Sequence, residues 1–189
     1  MMKPAAIIGA GLVGAYLWKG RDIRAAISMS GPGWDNLHPD MQRAALRVIE
    51  KANKVFKPQG LSVGAFEGWR SIARQREVMG KGASFVSDPL SSYHVWGLAV
   101  DFVFVDRLGR WTWAPFGQVE CAWYEVFCDD PNRAAWQRLG EIIEGEGLEW
   151  GGRWRSFDGP HGQLTTAGKV AQLRAKYGEP DNVEWARWV

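Results

Sequence analysis

The chain has 189 residues, of which 46% are hydrophobic and 23% charged, the composition of one folded domain with no low-complexity tract. A formal net charge of +2 gives a nucleic-acid partner little electrostatic support. No internal repeat is present, so repeat architectures are excluded as well.

Residues 5–18, AAIIGAGLVGAYLW, carry Gly9, Gly11 and Gly14 in the G-x-G-x-x-G spacing of a dinucleotide-binding turn. Such a turn needs a second strand ending in an acidic residue about 20 positions later. The region found there, SMSGPGWDN, has turn composition, so no nucleotide site is expected. The same fourteen residues are uncharged and lie between Lys3 and Lys19. They fall short of the about 20 that span a bilayer. They read as a marginal membrane anchor, an export signal or neither, with residues 5–18 as the membrane contact. Lys19, Arg21 and Arg24 follow the segment and argue against simple export of what comes after it.

A first helix is signalled by Pro39 at its first position and Asp40 in its first turn. His38 fits this helix start. Met41, Ala44, Ala45, Val48, Ile49 and Ala52 then form a stripe of period 3.6 that ends at KPQG, 57–60. Residues 61–68, LSVGAFEG, read as a strand, and 71–79, SIARQREVM, as a short helix stopped by Gly80 and Gly82. Residues 83–93 are loop, 98–105 a strand, 107–110 a turn, and Trp111-Thr112-Trp113 a hairpin return.

The stretch 116–128 fits neither period. Cys121 and Cys128, the two cysteines, would stand about 10 Å apart along a continuous helix, too far for a disulfide, so they read as two buried thiols. A strong helix follows from Asp130-Pro131 to about Glu146, stopped by Gly147. LEWGGRW, 148–154, is strand then turn, and a last helix begins near Thr165 or Thr166 and ends before Gly178. Strands and helices mix without β-α-β regularity. The expected fold is therefore α+β, a small, mostly antiparallel sheet with flanking helices. Twelve tryptophans mainly serve core and rim packing, although exposed indoles in a groove also stack on sugar rings.

The chemistry concentrates in SSYHVWGLAVDF, 91–102. On the strand, Leu98, Val100 and Phe102 point one way and Ala99, Asp101 and Val103 the other. A carboxylate inside a strand is costly unless a cation or donors satisfy it. Gly97 lets the chain turn sharply, so His94 folds back toward Asp101. A third ligand candidate is His161 in FDGPHGQL, 157–164, behind the rigid Gly159-Pro160 turn. His94, Asp101 and His161 would supply nitrogen, oxygen and nitrogen, the three-ligand set of an open zinc site. Asp158 would then be free to act as base.

Taken in order, Gly68-Trp-Arg70-Ser71 with Gln75, Ser92-x-His94-x-x-Gly97-x-Ala99-x-Asp101, Trp150-Gly151-Gly152-x-Trp154 and Asp158-x-Pro160-His161 resemble the D-alanyl-D-alanine carboxypeptidase-like zinc peptidases. The branch they look like is the L-alanyl-D-glutamate endopeptidases of phage endolysins. The resemblance covers roughly residues 35–175. It implies one Zn²⁺ per chain on His94, Asp101 and His161, with Asp158 as catalytic acid/base. It places Arg70 at an oxyanion or a substrate carboxylate, with Gln75, Ser92 and Trp154 supporting. It implies hydrolysis of the peptidoglycan stem peptide; a D,D-carboxypeptidase or dipeptidase, and a non-catalytic zinc-stabilised wall-binding domain, are the alternatives. Gly162 departs from the family, which commonly has an aromatic after the histidine.

The organisation expected is an N-terminal apolar segment and linker at 1–29, a zinc-peptidase domain at 30–180 and a tail at 181–189. A monomer is expected, acting in the periplasm or cell wall and tethered to the inner membrane if residues 5–18 anchor it. The alternative is a host-cytoplasmic pool until release.

Overall fold

The computed structural model describes residues 32–117, 131–166, 169–178 and 180. The apolar segment 5–18, both cysteines and the tail 181–189 lie outside the described residues. Among the described residues no helix is long and apolar enough to cross a membrane.

Helix α1 (Pro39–Phe56) forms where the stripe predicts it, and its buried residues are Met41, Ala44, Ala45, Val48, Ile49, Ala52 and Phe56. His38 caps it, its Nδ1 accepting from the Asp40 amide at 3.1 Å. Strand β1 (Ser62–Glu67) is tied to that helix by Asn53, whose side-chain amide bonds both the N–H (2.9 Å) and the carbonyl (3.1 Å) of Val63. Helix α2 (Ile72–Gly80) starts at Ser71, whose hydroxyl accepts from the Arg74 amide at 3.1 Å.

Among the described residues, strand β2 (Ala99–Val105) is the spine of a five-stranded antiparallel sheet. It pairs with β1 along one edge. On the other it pairs with β3 (Trp111–Thr112) near its C-terminal end and β5 (His161–Gln163) near its N-terminal end. Strand β4 (Glu149–Trp150) pairs with β5. The expected α+β fold with a small antiparallel sheet is therefore the one observed.

The face of β2 carrying Leu98, Val100, Phe102 and Phe104 packs into the core with α1 and with α3 (Pro131–Gly145). Phe104 meets Phe56 edge-on at 5.0 Å and Trp136 at 4.7 Å. Gly140 of α3 lets Trp150 pack directly against the helix, because a Cβ there would lie 2.3 Å from the Trp150 indole. Gly162 lies on the core face of β5, where a Cβ would meet Ile143 and Phe102 at 3.1 Å. An aromatic side chain has no room at that position, which accounts for the departure noted in the sequence.

One expectation needs correction. The last helix, α4 (Val170–Tyr177), starts later than Thr165 or Thr166. The Lys169 amide donates to Gln172 Oε1 at 3.1 Å and fixes the start there. Residues 161–163, to which the sequence assigns no element, form β5 between β2 and β4. His-Gly-Gln is too short and too poor in β-branched residues to announce a strand, and its pairing with β2 and β4 supplies the order.

Candidate active site

The 91–102 stretch builds half of the site. Gly97 takes φ +66, a left-handed conformation that suits glycine, and its N–H bonds back to the His94 carbonyl at 3.0 Å. His94 is thereby turned under the first residues of β2. Asp101 stands opposite His161 in the β2–β5 ladder, and Glu67 stands opposite Asp101 in the β1–β2 ladder. Three polar residues from three adjacent strands thus form one row across the sheet.

His94 Nε2, His161 Nδ1 and Asp101 Oδ1 make a triangle whose three sides are each 3.2 Å. The edge of a tetrahedron with metal–ligand bonds of 2.0–2.1 Å is about 3.3 Å. The three atoms therefore fit one face of a tetrahedral metal site, and the residues form the metal-competent group among the described residues.

The tautomers agree with this fit. His94 Nδ1 lies 2.6 Å from the Gly68 carbonyl, so that nitrogen carries the hydrogen and Nε2 is left as a lone pair. His161 Nε2 lies 3.0 Å from Gln163 Oε1, which leaves Nδ1 as the lone pair. Both lone pairs point into the triangle, each fixed by an outer hydrogen bond as ligating histidines require.

Asp101 Oδ2, the oxygen outside the triangle, accepts from Arg70 Nη2. Arg70 is buried, at 8% exposure. Its Nε donates to Glu67 at 2.6 Å and its Nη1 to Gln75 Oε1 at 3.3 Å. Gln75 in turn donates to Ser84 Oγ at 2.9 Å. Arg74 donates to the second Glu67 oxygen at 2.9 Å.

Burial pushes His94 below the usual imidazole value, with Asp101 opposing. Burial would raise Asp101, but the adjacent His94 and His161 imidazoles and the Arg70 guanidinium outweigh it and hold the carboxyl well below its ordinary range. Burial would likewise lower His161, yet Asp101 and Asp158 hold its proton and raise it. Asp158 is raised, chiefly by burial and further by the charge of Asp101, against the pull of His161, His94 and Arg70.

The Trp150-Gly151-Gly152 turn positions Asp158. Trp150 Nε1 donates to the Gly159 carbonyl at 2.8 Å, and the Asp158 amide donates to Gly151 at 3.1 Å. A Cβ on Gly151 would lie 2.7 Å from the Asp158 carbonyl oxygen and 3.1 Å from His161 Cβ. Glycine is therefore what lets this turn close against the site.

His94, Asp101, His161, Asp158, Arg70, Ser92 and Trp154 all line one cleft of about 290 Å³. The Trp154 ring lies 5.0 Å from that of His161. Gln75 sits beneath the cleft wall, fully buried, and acts through Arg70. Two residues of the site were missed in the sequence, Glu67 and Gln163. Glu67 interrupts an apolar strand just as Asp101 does, and Gln163 lies two residues beyond His161, on the same face once 161–163 is a strand.

The buried His-Asp-His face, with the Asp158 carboxyl in the same cleft, suits a metal-dependent hydrolase. The D-alanyl-D-alanine carboxypeptidase family model matches residues 86–164, the span that holds the triad and Asp158. The peptidoglycan L-alanyl-D-glutamate endopeptidase CwlK of Bacillus subtilis strain 168 is 31% identical over 134 residues, covering 67% of this chain and 72% of its own. The L-alanyl-D-glutamate peptidase of Escherichia phage T5 is 24% identical over 126 residues, covering 67% of this chain and 78% of its own. The crystal structure of the Serratia marcescens L-Ala D-Glu endopeptidase ChiX is 29% identical, covers 71% of this chain and 85% of its own, and superimposes with a TM-score of 0.45. The chain belongs to the D-alanyl-D-alanine carboxypeptidase family of peptidases.

Proposed function

We propose that the chain is a zinc-dependent L-alanyl-D-glutamate endopeptidase acting on the stem peptide of peptidoglycan. The observation that carries the metal is the 3.2 Å triangle of His94, Asp101 and His161, with both outer nitrogens already bonded. Its two nitrogens and one oxygen suit Zn²⁺. The bond assignment draws on the two curated relatives, both of which are named for that cleavage.

Held by His94, Asp101 and His161, zinc would supply Lewis-acid polarisation of the scissile carbonyl and would make water a better nucleophile. Asp158 takes the proton of the attacking water and passes it to the leaving amine. Its raised proton affinity suits a group that must hold the proton between the two steps. Arg70 fixes Asp101 through Oδ2 and sets a buried positive charge beside the triad, in support of the oxyanion. Ser92 and Trp154 shape the cleft wall, and Gln75 holds Arg70.

We further propose that the protein acts as a monomer in the periplasm or wall, tethered to the membrane if residues 5–18 anchor it. Mass analysis of muropeptide fragments tests the bond. Cleavage after L-alanine is expected; release of free D-alanine instead would make it a D,D-carboxypeptidase.

A further inference from the structure

One feature of the cleft rim is not used by the hydrolytic chemistry. Phe66, on β1 next to Glu67, meets Trp111 of β3 edge-on at 5.3 Å and Trp113 at 5.0 Å. Trp111 is 54% exposed and Trp113 45% exposed. Trp113 is anchored from behind, stacked on Trp136 at 6.3 Å, while Trp136 Nε1 donates to the Trp113 carbonyl at 3.1 Å. The rings are thus held in place while presenting indole surface to water, which keeps the ordering cost of a contact low.

The ridge is continuous with the site. Phe66 and Trp113 both line the cleft that holds the triad. Trp111 is the cross-strand partner of Val105, and Val105 lies on the same face of β2 as Asp101, four residues along. From the triad the cleft therefore runs onto an aromatic surface built of Phe66, Trp113 and Trp111.

We infer that Phe66, Trp111 and Trp113 form a docking surface for the glycan strand that carries the stem peptide. The inference rests on the proposed cleavage after L-alanine. That residue joins the stem directly to the lactyl group of the muramic-acid sugar, so a bond cut there brings a sugar to within one residue of the metal-binding triad. Aromatic faces stack on the apolar C–H faces of pyranose rings. The stem beyond the cut bond bears carboxylates, which an uncharged aromatic ridge does not favour, whereas the neutral sugars suit it. The ridge would select glycan-linked stems over free peptides.

The test compares wild type with Trp111→Ala and Trp113→Ala, with Leu108→Ala on the nearby turn (75% exposed) as control. Two readouts are taken, kcat/KM on a disaccharide-linked stem peptide and on the same peptide without sugar, and binding of a β-1,4-linked N-acetylglucosamine tetramer followed by tryptophan fluorescence. The expected result is about a tenfold loss on the sugar-linked substrate and in tetramer binding, with the free peptide cleaved as by wild type. Loss on both substrates alike, or on neither, or no tetramer binding by wild type, would overturn the inference. Wild-type enzyme that binds the tetramer in a Trp111-dependent way but cuts neither substrate would support the ridge and sink the proposed endopeptidase reading. Melting curves identify a variant that fails to fold, and the other tryptophan variant then decides.

Discussion

Asp101 and His161 are direct cross-strand partners, and Asp101 Oδ1 lies 3.2 Å from His161 Nδ1 while Oδ2 is held by Arg70. One carboxylate thus joins the metal-competent triangle to the buried Glu67–Arg70–Gln75 network. The register of two strands decides whether a site exists, because a slip of one residue would turn His161 into the core and Gly162 toward the cleft.

Gln163 should matter to metal affinity without touching the metal. Gln163→Ala removes the acceptor that keeps the hydrogen on His161 Nε2. Affinity should fall about 10–100-fold, and Gln163→Glu, which keeps an acceptor, should restore most of it. Competition with a chromophoric chelator reads this; equal affinity in Gln163→Ala would remove the residue from the account.

Arg70 serves stability as well as chemistry. Arg70→Ala leaves the Glu67 and Asp101 carboxylates buried beside one another without their shared cation. A loss of about 3–5 kcal/mol is expected in denaturant unfolding. A loss under about 1 kcal/mol would mean that water enters the network freely.

Asp158→Ala should lower turnover by at least 10²–10⁴-fold, about the worth of a general base, while the bound metal is kept. The stability of the metal-stripped protein carries a second signature. Burial raises the Asp158 pKa. A raised folded-state pKa gives stability below the unfolded value and loses it as pH rises through the folded value. Asp158→Asn, neutral throughout, should therefore melt above wild type at neutral pH, and the gap should close below about pH 4. A gap that stays constant into acid would assign the effect to packing instead of charge.

Gly140→Ala separates helix propensity from packing. In an exposed helix the change would stabilise by about 1 kcal/mol. Here the added Cβ would stand 2.3 Å from the Trp150 ring, and overpacking of this kind costs about 1–3 kcal/mol or more. Net destabilisation is expected, with lower activity because Trp150 holds the Gly159 carbonyl beside Asp158. A higher melting temperature would show that the indole moves aside at little cost.

Much of this was legible in the sequence. The stripe from Met41 to Ala52 gave α1, the alternation from Leu98 to Val103 gave β2 and the odd face of Asp101, and Gly97 marked the turn that brings His94 back. His161 was legible as a ligand candidate but not as a strand residue. Three residues carry no period, and β5 exists because β2 and β4 flank it. Gln163 was hidden for the same reason, since its shared face with His161 follows only from the strand. The bonding of Arg70 to Asp101 joins positions 31 apart, which no local pattern encodes.

The central claim is a metal-dependent peptidase built on His94, Asp101 and His161. Its most direct test is digestion of purified peptidoglycan by the protein as purified, after chelation, and after zinc is added back, with metal content measured alongside. The account predicts that cleavage vanishes on chelation and returns as zinc reaches one per chain, and that His161→Ala neither binds zinc tightly nor cleaves. Cleavage that persists in metal-free protein, or in His161→Ala, would contradict it.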